Sequence, residues 1–573
     1  MKTNMIKGLI VTALVLMLSA CNLSGGGGGG GAGPGTPQPL GSIGATHPTD
    51  GVTTDDTTPL RWDAVTGAVR YEYQLVERFN AVTSNPNDVT TAPISAVDGR
   101  GGFGYPADAP LGNGVEYIWR MRAIGTGEAT EWTEPATFTV TWDVNGPAEG
   151  IRFVGELEYL RDSVANNITG FASGTYRLGG DIDLSTVPDW EPIGTQSPPR
   201  PFTGTFDGAD FTISGLTIND NTADYQGLFG DVNGGTITRV RLSNVRIAAG
   251  GHVGGLAGLI RSGAQVTQSH IVGTSTISGS GNNVGGLVGQ VLGSGTAVES
   301  SSSSADVSNT AQATGGLVGD VDGGAISNNS RATGTVSGSD QVGGLVGYLR
   351  NAGSIRGSYG AAIVSGNNSV GGLLGRLENG SAVEHSYSIG PAFPTVGVSG
   401  TGTAGGLVGL VFNGSTVRYS HADVVVSGST AGGLIGTMTN PNTATMNTLF
   451  DSYATGVVVG TGGGDIGGLV GSIHTTSVER SYATGRVQGA ASNFGGLVGN
   501  LITTANLGTI ARVDNGFYDE DTTEQVDTGK GERRTTTAMQ TQGTFTGWDF
   551  TGIWRIDSAI NDGYPYLVAN PPQ

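Results

Sequence analysis

Cys21 is the only cysteine among the 573 residues, so no intramolecular disulfide can form. Basic residues are scarce. There are 28 Lys and Arg against 48 Asp and Glu, a net charge of −20, and beyond Lys2 and Lys7 the only lysine is Lys530. Phosphate backbones are held by clusters of Lys and Arg, so this balance argues against nucleic-acid binding. An acidic, lysine-poor surface stays soluble in seawater-like salt. Charged residues total 13%, well under the roughly 25% usual for globular chains, which argues against an acidic disordered chain. Tryptophan is absent from 226–515: all seven lie outside, at Trp62, Trp119, Trp132, Trp142, Trp190, Trp548 and Trp554. No run between Gln226 and Asn515 has helical spacing. No His-Glu-x-x-His, Gly-x-Ser-x-Gly or Gly-Lys-Ser/Thr occurs. Gly400-Thr-Gly-Thr-Ala-Gly405 matches a dinucleotide fingerprint, but it leads into a strand pattern, with no helix N-terminus for a pyrophosphate.

Glycine is abundant instead, at 102 positions. Gly-Gly-Leu-x-Gly begins at Gly254, Gly285, Gly315, Gly343, Gly371, Gly405, Gly432, Gly467 and Gly495, with a weaker copy at Gln226. The intervals run from 27 to 35 residues. A period near 30 is one supersecondary unit stacked on itself. A second half-motif, Ser-Tyr-Ala-Thr-Gly, starts at Ser452 and Ser481, with relatives at Ser269, Ser330 and Ser420. Short apolar runs between Gly, Ser and Asn suit strands and tight turns. The unit reads as one coil of a parallel β-solenoid with three strands. The recurring Leu, from Leu256 to Leu497, forms an inward ladder. Its neighbour is apolar in every copy, and because side chains alternate along a strand only one of the two ladders is expected in the core, the other being a partly exposed apolar stripe or covered by another layer. The fold class is therefore all-β.

These repeats resemble the GLUG-motif repeats of bacterial surface proteins. Asp181-Ile-Asp-Leu-Ser, Trp190-Glu-Pro-Ile-Gly and Phe202-Thr-Gly-Thr-Phe-Asp-Gly look like the N-cap segment of such arrays, over 150–225, ahead of about ten coils over 226–515. Gly516-Phe-Tyr-Asp and Asn561-Asp-Gly-Tyr-Pro-Tyr-Leu look like the C-cap segment, over 516–573. Strand edges at a solenoid end need bulky covers, which fits Trp190, Trp548 and Trp554. Leu157, Leu160 and Val164 have helical spacing and predict a short capping helix.

The N-terminus is a second signal. Lys2 and Lys7 precede an apolar run from Gly8 to Leu18, shorter than the ~18 residues of a membrane span. This is a secretory signal peptide over 1–20. Leu18, Ser19, Ala20 and Cys21 resemble the bacterial lipobox, which implies a thioether lipid on Cys21 and a membrane partner through it. Asn22 leaves outer-membrane delivery open. Residues 21–40 carry seven consecutive glycines from Gly25, a flexible tether. Residues 41–142 alternate apolar and polar positions, as in Tyr71-Glu-Tyr-Gln-Leu-Val76 and Tyr117-Ile-Trp-Arg-Met-Arg-Ala123. They suit a β-sandwich and resemble a fibronectin type III module, with Trp62, Tyr71 and Tyr117 in the characteristic places. The long loop Asn80–Gly104 departs from that pattern.

Catalysis was sought among carboxylates. Asp320 and Asp322 lie on one strand face, and Asp231 occupies an equivalent repeat position. They are expected to be solvated turn carboxylates, with a Ca²⁺ site or glycosidic hydrolysis as alternatives. His270 and His421 sit where Tyr453 and Tyr482 stand in other repeats, and no His has a partner at metal-ligand spacing. No cofactor, metal or catalytic residue is therefore expected. The sequence predicts a surface-anchored, non-catalytic adhesin-like or scaffold lipoprotein that binds a glycan or protein along the solenoid or at the sandwich loops. A polysaccharide-active β-helix and a passive spacer are the alternatives. Acids, Arg and aromatics gathered on one face of adjacent coils would mark the polysaccharide-active case, and the low charge of the repeats predicts no such gathering.

Overall fold

The computed structural model describes residues 40–42, 46–47, 52–54, 60–62, 65–77, 92–95, 102–103, 116–140, 146, 150–152, 154–391, 394–440, 445–502 and 511–572. The expected signal peptide, the lipobox residues Leu18, Ser19 and Ala20, Cys21, the tether up to residue 39 and most of the 80–104 loop lie outside these residues. The chain divides into two compact units, Met1–Tyr159 and Leu160–Gln573.

In the first unit, β1 (Thr46–His47), β3 (Leu60–Trp62) and β6 (Gly102–Phe103) form one antiparallel sheet. A second sheet runs in the order β2 (Val52–Thr54), β8 (Ala136–Val140), β7 (Glu116–Ile124), β4 (Arg70–Glu77) and β5 (Ala92–Ser95). Tyr71, Trp119, Met121, Ala123 and Phe138 are buried. The Tyr71 hydroxyl accepts a hydrogen bond from the Val65 amide at 2.6 Å.

The helix α1 (Val154–Ala165) appears where the apolar spacing placed it, with Leu157, Leu160 and Val164 all buried. Arg161 lies over the Trp190 ring at 5.1 Å.

The second unit is a parallel β-solenoid. Each coil holds up to five short strands, against the three expected. They stack into parallel ladders, numbered here in the order the chain visits them within a coil. The first ladder has ten strands, from Phe229–Asn233 to Val498–Ile502, and the second has twelve, from Thr175–Arg177 to Arg512–Asp514. The third has thirteen, from Ile182–Asp183 to Phe517–Asp519 and then Glu532–Arg534. The fourth has ten, from Thr217–Asp220 to Val487–Ala490, and the fifth has eight, from Val284–Gly285 to Asn493–Gly495. Strands from the expected N-cap segment already join the second, third and fourth ladders. At about 4.8 Å per step, twelve strands span roughly 50 Å.

The corners explain the extra strands. In most coils two residues separate the second from the third ladder, and the first of them takes positive φ; besides Gly357 and Asn515, these are Arg239 (51°), Gln268 (50°), Ser300 (50°), His385 (48°), Tyr419 (51°), Asp451 (47°) and Arg480 (43°). The latter are not the Gly or Asn that usually mark such turns, so the corner is invisible to composition. What holds it is the serine that follows. Ser269, Ser301, Ser358, Ser386, Ser420, Ser452 and Ser481 are fully buried. Each Oγ donates to the carbonyl two residues earlier, as Ser386 does to Glu384 O at 2.8 Å. All of these except Ser358 also accept an amide from the preceding coil, as Ser386 does from Ser358 N at 3.3 Å and Ser420 does from Ser386 N at 3.3 Å. Buried polar groups must be partnered, and this serine column satisfies a corner that no strand ladder can reach.

The Gly-Gly-Leu-x-Gly motif forms another corner, between the fifth and first ladders. Its Leu and the residue after it are both in the core: Leu317 and Val318, like Leu345 and Val346, are 0% exposed. This corrects the expectation of one ladder in and one ladder out. The amides of Leu287 and Val288 both reach Leu317 O, at 2.8 and 3.0 Å. Two amides on one carbonyl mark a bulge, which resets side-chain alternation. The glycines are needed for backbone approach. A Cβ on Gly315, Gly316 or Gly319 would lie within 3.0 Å of Val318 O, Gly344 O and Val284 N respectively.

Candidate binding faces of the solenoid

On the outer side of the first ladder, the central position of successive strands reads Gln290, Asp320, Tyr348, Arg376 and Leu410. Asp320 is fully buried. Arg350, thirty residues on and therefore one coil away, grips it through Nε at 3.2 Å and Nη2 at 3.0 Å. Gln290 Nε2 donates to it at 2.7 Å. Arg350 also reaches Asp322 at 3.2 Å. Asp320 and Asp322 thus share one guanidinium, and the pair anchors Arg350 instead of standing as an acid–base couple. Asp231 repeats the arrangement, bound by Arg261 at 3.0 and 3.0 Å and by Gln196 at 2.8 Å. Burial raises the Asp231 pKa, and its hydrogen bond and charge pairing with Arg261 oppose the rise. The expectation of solvated turn carboxylates is corrected for both Asp231 and Asp320: outward-facing positions on this ladder are covered by their own arginines.

Arg350 and Arg376 lie over the Tyr348 ring at 5.2 and 5.6 Å, and Arg376 also lies over Phe412 at 5.1 Å. Glu378 accepts from Arg376 Nε at 2.6 Å. Burial, followed by Glu378, raises the Tyr348 hydroxyl pKa above its ordinary value, so the phenol stays protonated. Each cation–π contact at a part-exposed site contributes about 0.5–1 kcal/mol. A second line follows the corner after the second ladder. Glu384 accepts from Arg356 at 3.2 Å and from Arg418 Nε at 2.7 Å. His385 stacks on Tyr419 at 4.9 Å, and Arg418 lies over Tyr419 and Phe450 at 5.5 and 5.8 Å. Acids, arginines and aromatics therefore do converge on adjacent coils, contrary to expectation. The signal was present as charges one repeat apart, but low overall charge concealed it. Among the described residues, no three of His, Cys, Asp and Glu group as a metal site.

The outer side of the third ladder carries a ring stack. Tyr359, Tyr387, His421, Tyr453 and Tyr482 follow at centroid spacings of 4.8, 5.1, 4.8 and 5.1 Å, with planes within 9°. The placing of His421 in the Tyr453 and Tyr482 register is thus found in the ladder. The C-cap segment lies along this face as a strap instead of only plugging the end. Trp548 and Trp554 pack on Tyr482, and Trp554 Nε1 donates to Asp451 at 3.1 Å. Tyr482 Oη donates to Pro565 O at 2.5 Å, and Asn570 Nδ2 donates to Ser386 O at 3.3 Å. Under the strap, both ring nitrogens of His421 and the Tyr453 hydroxyl are buried without a hydrogen-bond partner. Burial lowers the His421 pKa to about 3 and pushes Tyr387 up to about 12.

No protein-family model matches the chain. Over 120 residues, 20% of this chain, it is 47% identical to a protein of Evansella cellulosilytica named "Putative Gly-rich membrane protein". Over 229 residues, 37% of this chain, it is 31% identical to halomucin of Haloquadratum walsbyi. These matches span 13% and 2% of the two relatives' lengths. Two solved structures share its outline. One, named a "putative immunoglobulin A1 protease" from Bacteroides ovatus, is 18% identical with a TM-score of 0.28, covering 74% of this chain and 94% of that one. The other, named "IgA1 Protease", is 13% identical with a TM-score of 0.26, covering 87% of this chain and 32% of that one. Both names are those of proteases, and the expectation of a protein without catalysis is corrected to that extent: it is not carried into the functional reading. TM-scores this low assign no activity to this chain, and the comparisons do not fix its family; the β-solenoid is read from the parallel ladders themselves.

Proposed function

We propose that this chain is a surface-anchored repeat protein. In this reading Cys21 carries the lipid, a Gly-rich tether follows, and residues 41–142 form a fibronectin type III-like sandwich. A GLUG-type solenoid then presents its outer faces to glycans or proteins. The observation that carries the reading is the line of part-exposed Tyr348, Arg376 and Phe412 at coil spacing, suited to many weak contacts with a long ligand. The relatives, one named as a Gly-rich membrane protein and the other as halomucin, support a location at the cell surface.

Deletion of whole coils between 226 and 515, with both ends kept, is expected to reduce glycan-array and whole-cell adhesion in steps. Adhesion by the full chain that survives removal of all central coils would sink the reading. Anchoring is checked separately. Cys21→Ala is expected to move the protein from the membrane fraction to the soluble one, and retention after a high-salt wash would refute the lipid.

A further inference from the structure

The strap covers only part of the third-ladder face. Ahead of Tyr387 the same outward position reads Arg241, His270, Ser302, Arg331 and Tyr359, in register from coil to coil. Arg241 is exposed and the other four are half-buried. Neither Arg241 nor Arg331 has a carboxylate within 4.0 Å among the described residues. That is unusual in a chain with 48 acids and 28 basic residues, whose other solenoid arginines are largely paired. The acids around the face are engaged elsewhere: Asp210, close enough for its charge to act on His270, lies 3.9 Å from Arg239, Glu299 accepts from Asn328 at 3.1 Å, and Asp306 accepts from Thr335 at 2.7 Å. His270 Nδ1 is held by Ser302 Oγ at 2.9 Å. Ser243 and Val272 line the far edge of the same strands, so the ladder positions themselves are cationic and hydroxyl-bearing, with no carboxylate among them from Arg241 to Tyr359.

How a chain lies on this ladder is visible further along. Between Pro565, which takes the Tyr482 hydroxyl, and Asn570, which reaches Ser386, the strap crosses three coils in five residues. That is roughly 14 Å of ladder, covered by the short strand Tyr566–Leu567 and a turn in which Asn570 N donates to Leu567 O at 3.1 Å. Arg241 and Arg331 are likewise three coils apart, roughly 14 Å. A coil step near 4.8 Å is close to the advance of one sugar ring in an extended glycan, and Tyr359 supplies a ring face at the strap end.

We propose that the Arg241–Tyr359 face binds one strand of an anionic polysaccharide, laid along the stack with acidic groups on Arg241 and Arg331 and a sugar face on Tyr359. An acidic polypeptide would lack the stacked ring and the hydroxyl contacts, which favours the glycan. This inference rests on the surface-binding reading above and deepens it.

The test uses the full chain immobilised on a sensor, with alginate and carrageenan as carboxylated and sulfated probes, dextran as neutral control and poly-L-glutamate as acidic polypeptide. Alginate or carrageenan should bind with salt-sensitive affinity. Arg241→Ala with Arg331→Ala should lower that affinity at least tenfold, while Arg512→Ala, an exposed arginine at the far end of the second ladder, leaves it within twofold. Arg331→Glu repeats the test by charge reversal, and unchanged circular dichroism confirms that both variants fold. Binding unaltered in these variants, or poly-L-glutamate bound as tightly as either glycan, overturns the proposal. If the double variant binds alginate and carrageenan as tightly as the unmodified chain while both still adhere to cells, the site fails and the surface-binding reading stands. If the unmodified chain binds no probe and no cell, both fail.

Discussion

At His421 burial carries a cost that depends on pH. The residue is 1% exposed, stacked between Tyr387 and Tyr453, and neither nitrogen has a partner. Its folded pKa of about 3 lies below the ordinary 6.5. Between those values the unfolded chain binds a proton that the folded one refuses. Stability is therefore complete above the unfolded pKa and falls as pH drops from about 6.5 towards 3, by at most ~1.4 kcal/mol per pH unit. His421→Phe keeps the stack and removes the proton site. It is expected to flatten the loss of thermal stability between pH 6.5 and 4. Identical pH profiles for the two proteins would show that His421 finds a partner the structure lacks. The register of His421 was legible in the sequence, since the repeat aligned it with Tyr453. Its burial was not, because the cover comes from residues more than a hundred positions away. The same limit misled the reading of Leu345 and Val346. Strict alternation put one outside, and a bulge that no residue type announces put both inside.

Each coil is closed by the serine column. Ser386→Ala removes the acceptor for Ser358 N and the donor to Glu384 O in a fully buried corner. An unsatisfied buried group costs about 1–3 kcal/mol, and that is the expected loss in denaturant unfolding. A change under ~0.5 kcal/mol would mean that the corner relaxes to satisfy itself. The parallel ladders and their period were legible because Gly-Gly-Leu recurs wherever backbones touch. The count of strands was not. Arg239, Gln268 and Tyr419 turn the chain at positive φ, and nothing in those side chains signals a turn. The charged faces were half legible. Asp320 and Asp322 were picked out from their spacing, but their partner Arg350 became visible only when thirty residues collapsed to one coil step.

Across the solenoid unit, the strap ties distant coils together, from Tyr482 back to Ser386. Its Phe545, Trp548, Trp554, Tyr564 and Leu567 share one buried cluster with Tyr453, Tyr482 and Phe517. Ending the chain after Arg534 uncovers those three rings, at about 1.5–3 kcal/mol for each side chain that becomes exposed. The shortened protein is expected to bind a hydrophobic dye and to be nicked first between residues 386 and 517 in limited proteolysis. Cleavage spread evenly along the repeats would refute a stabilising strap. Trp548 and Trp554 were legible as a cover, but the side they cover was not, because a repeat period defines a stack and leaves its outer faces equivalent.

The strap also divides the stack mechanically. Coils before Tyr359 are held mainly to their neighbours, with Ser280 Oγ reaching Asn221 O two coils back at 3.0 Å, so a pull along the axis loads few interfaces at a time, and they should peel at low force. From Ser386 to Phe517 the strap runs alongside the coils and carries load in parallel with them. That stretch should resist in shear and then give way together, a stiff block in series with a softer spring.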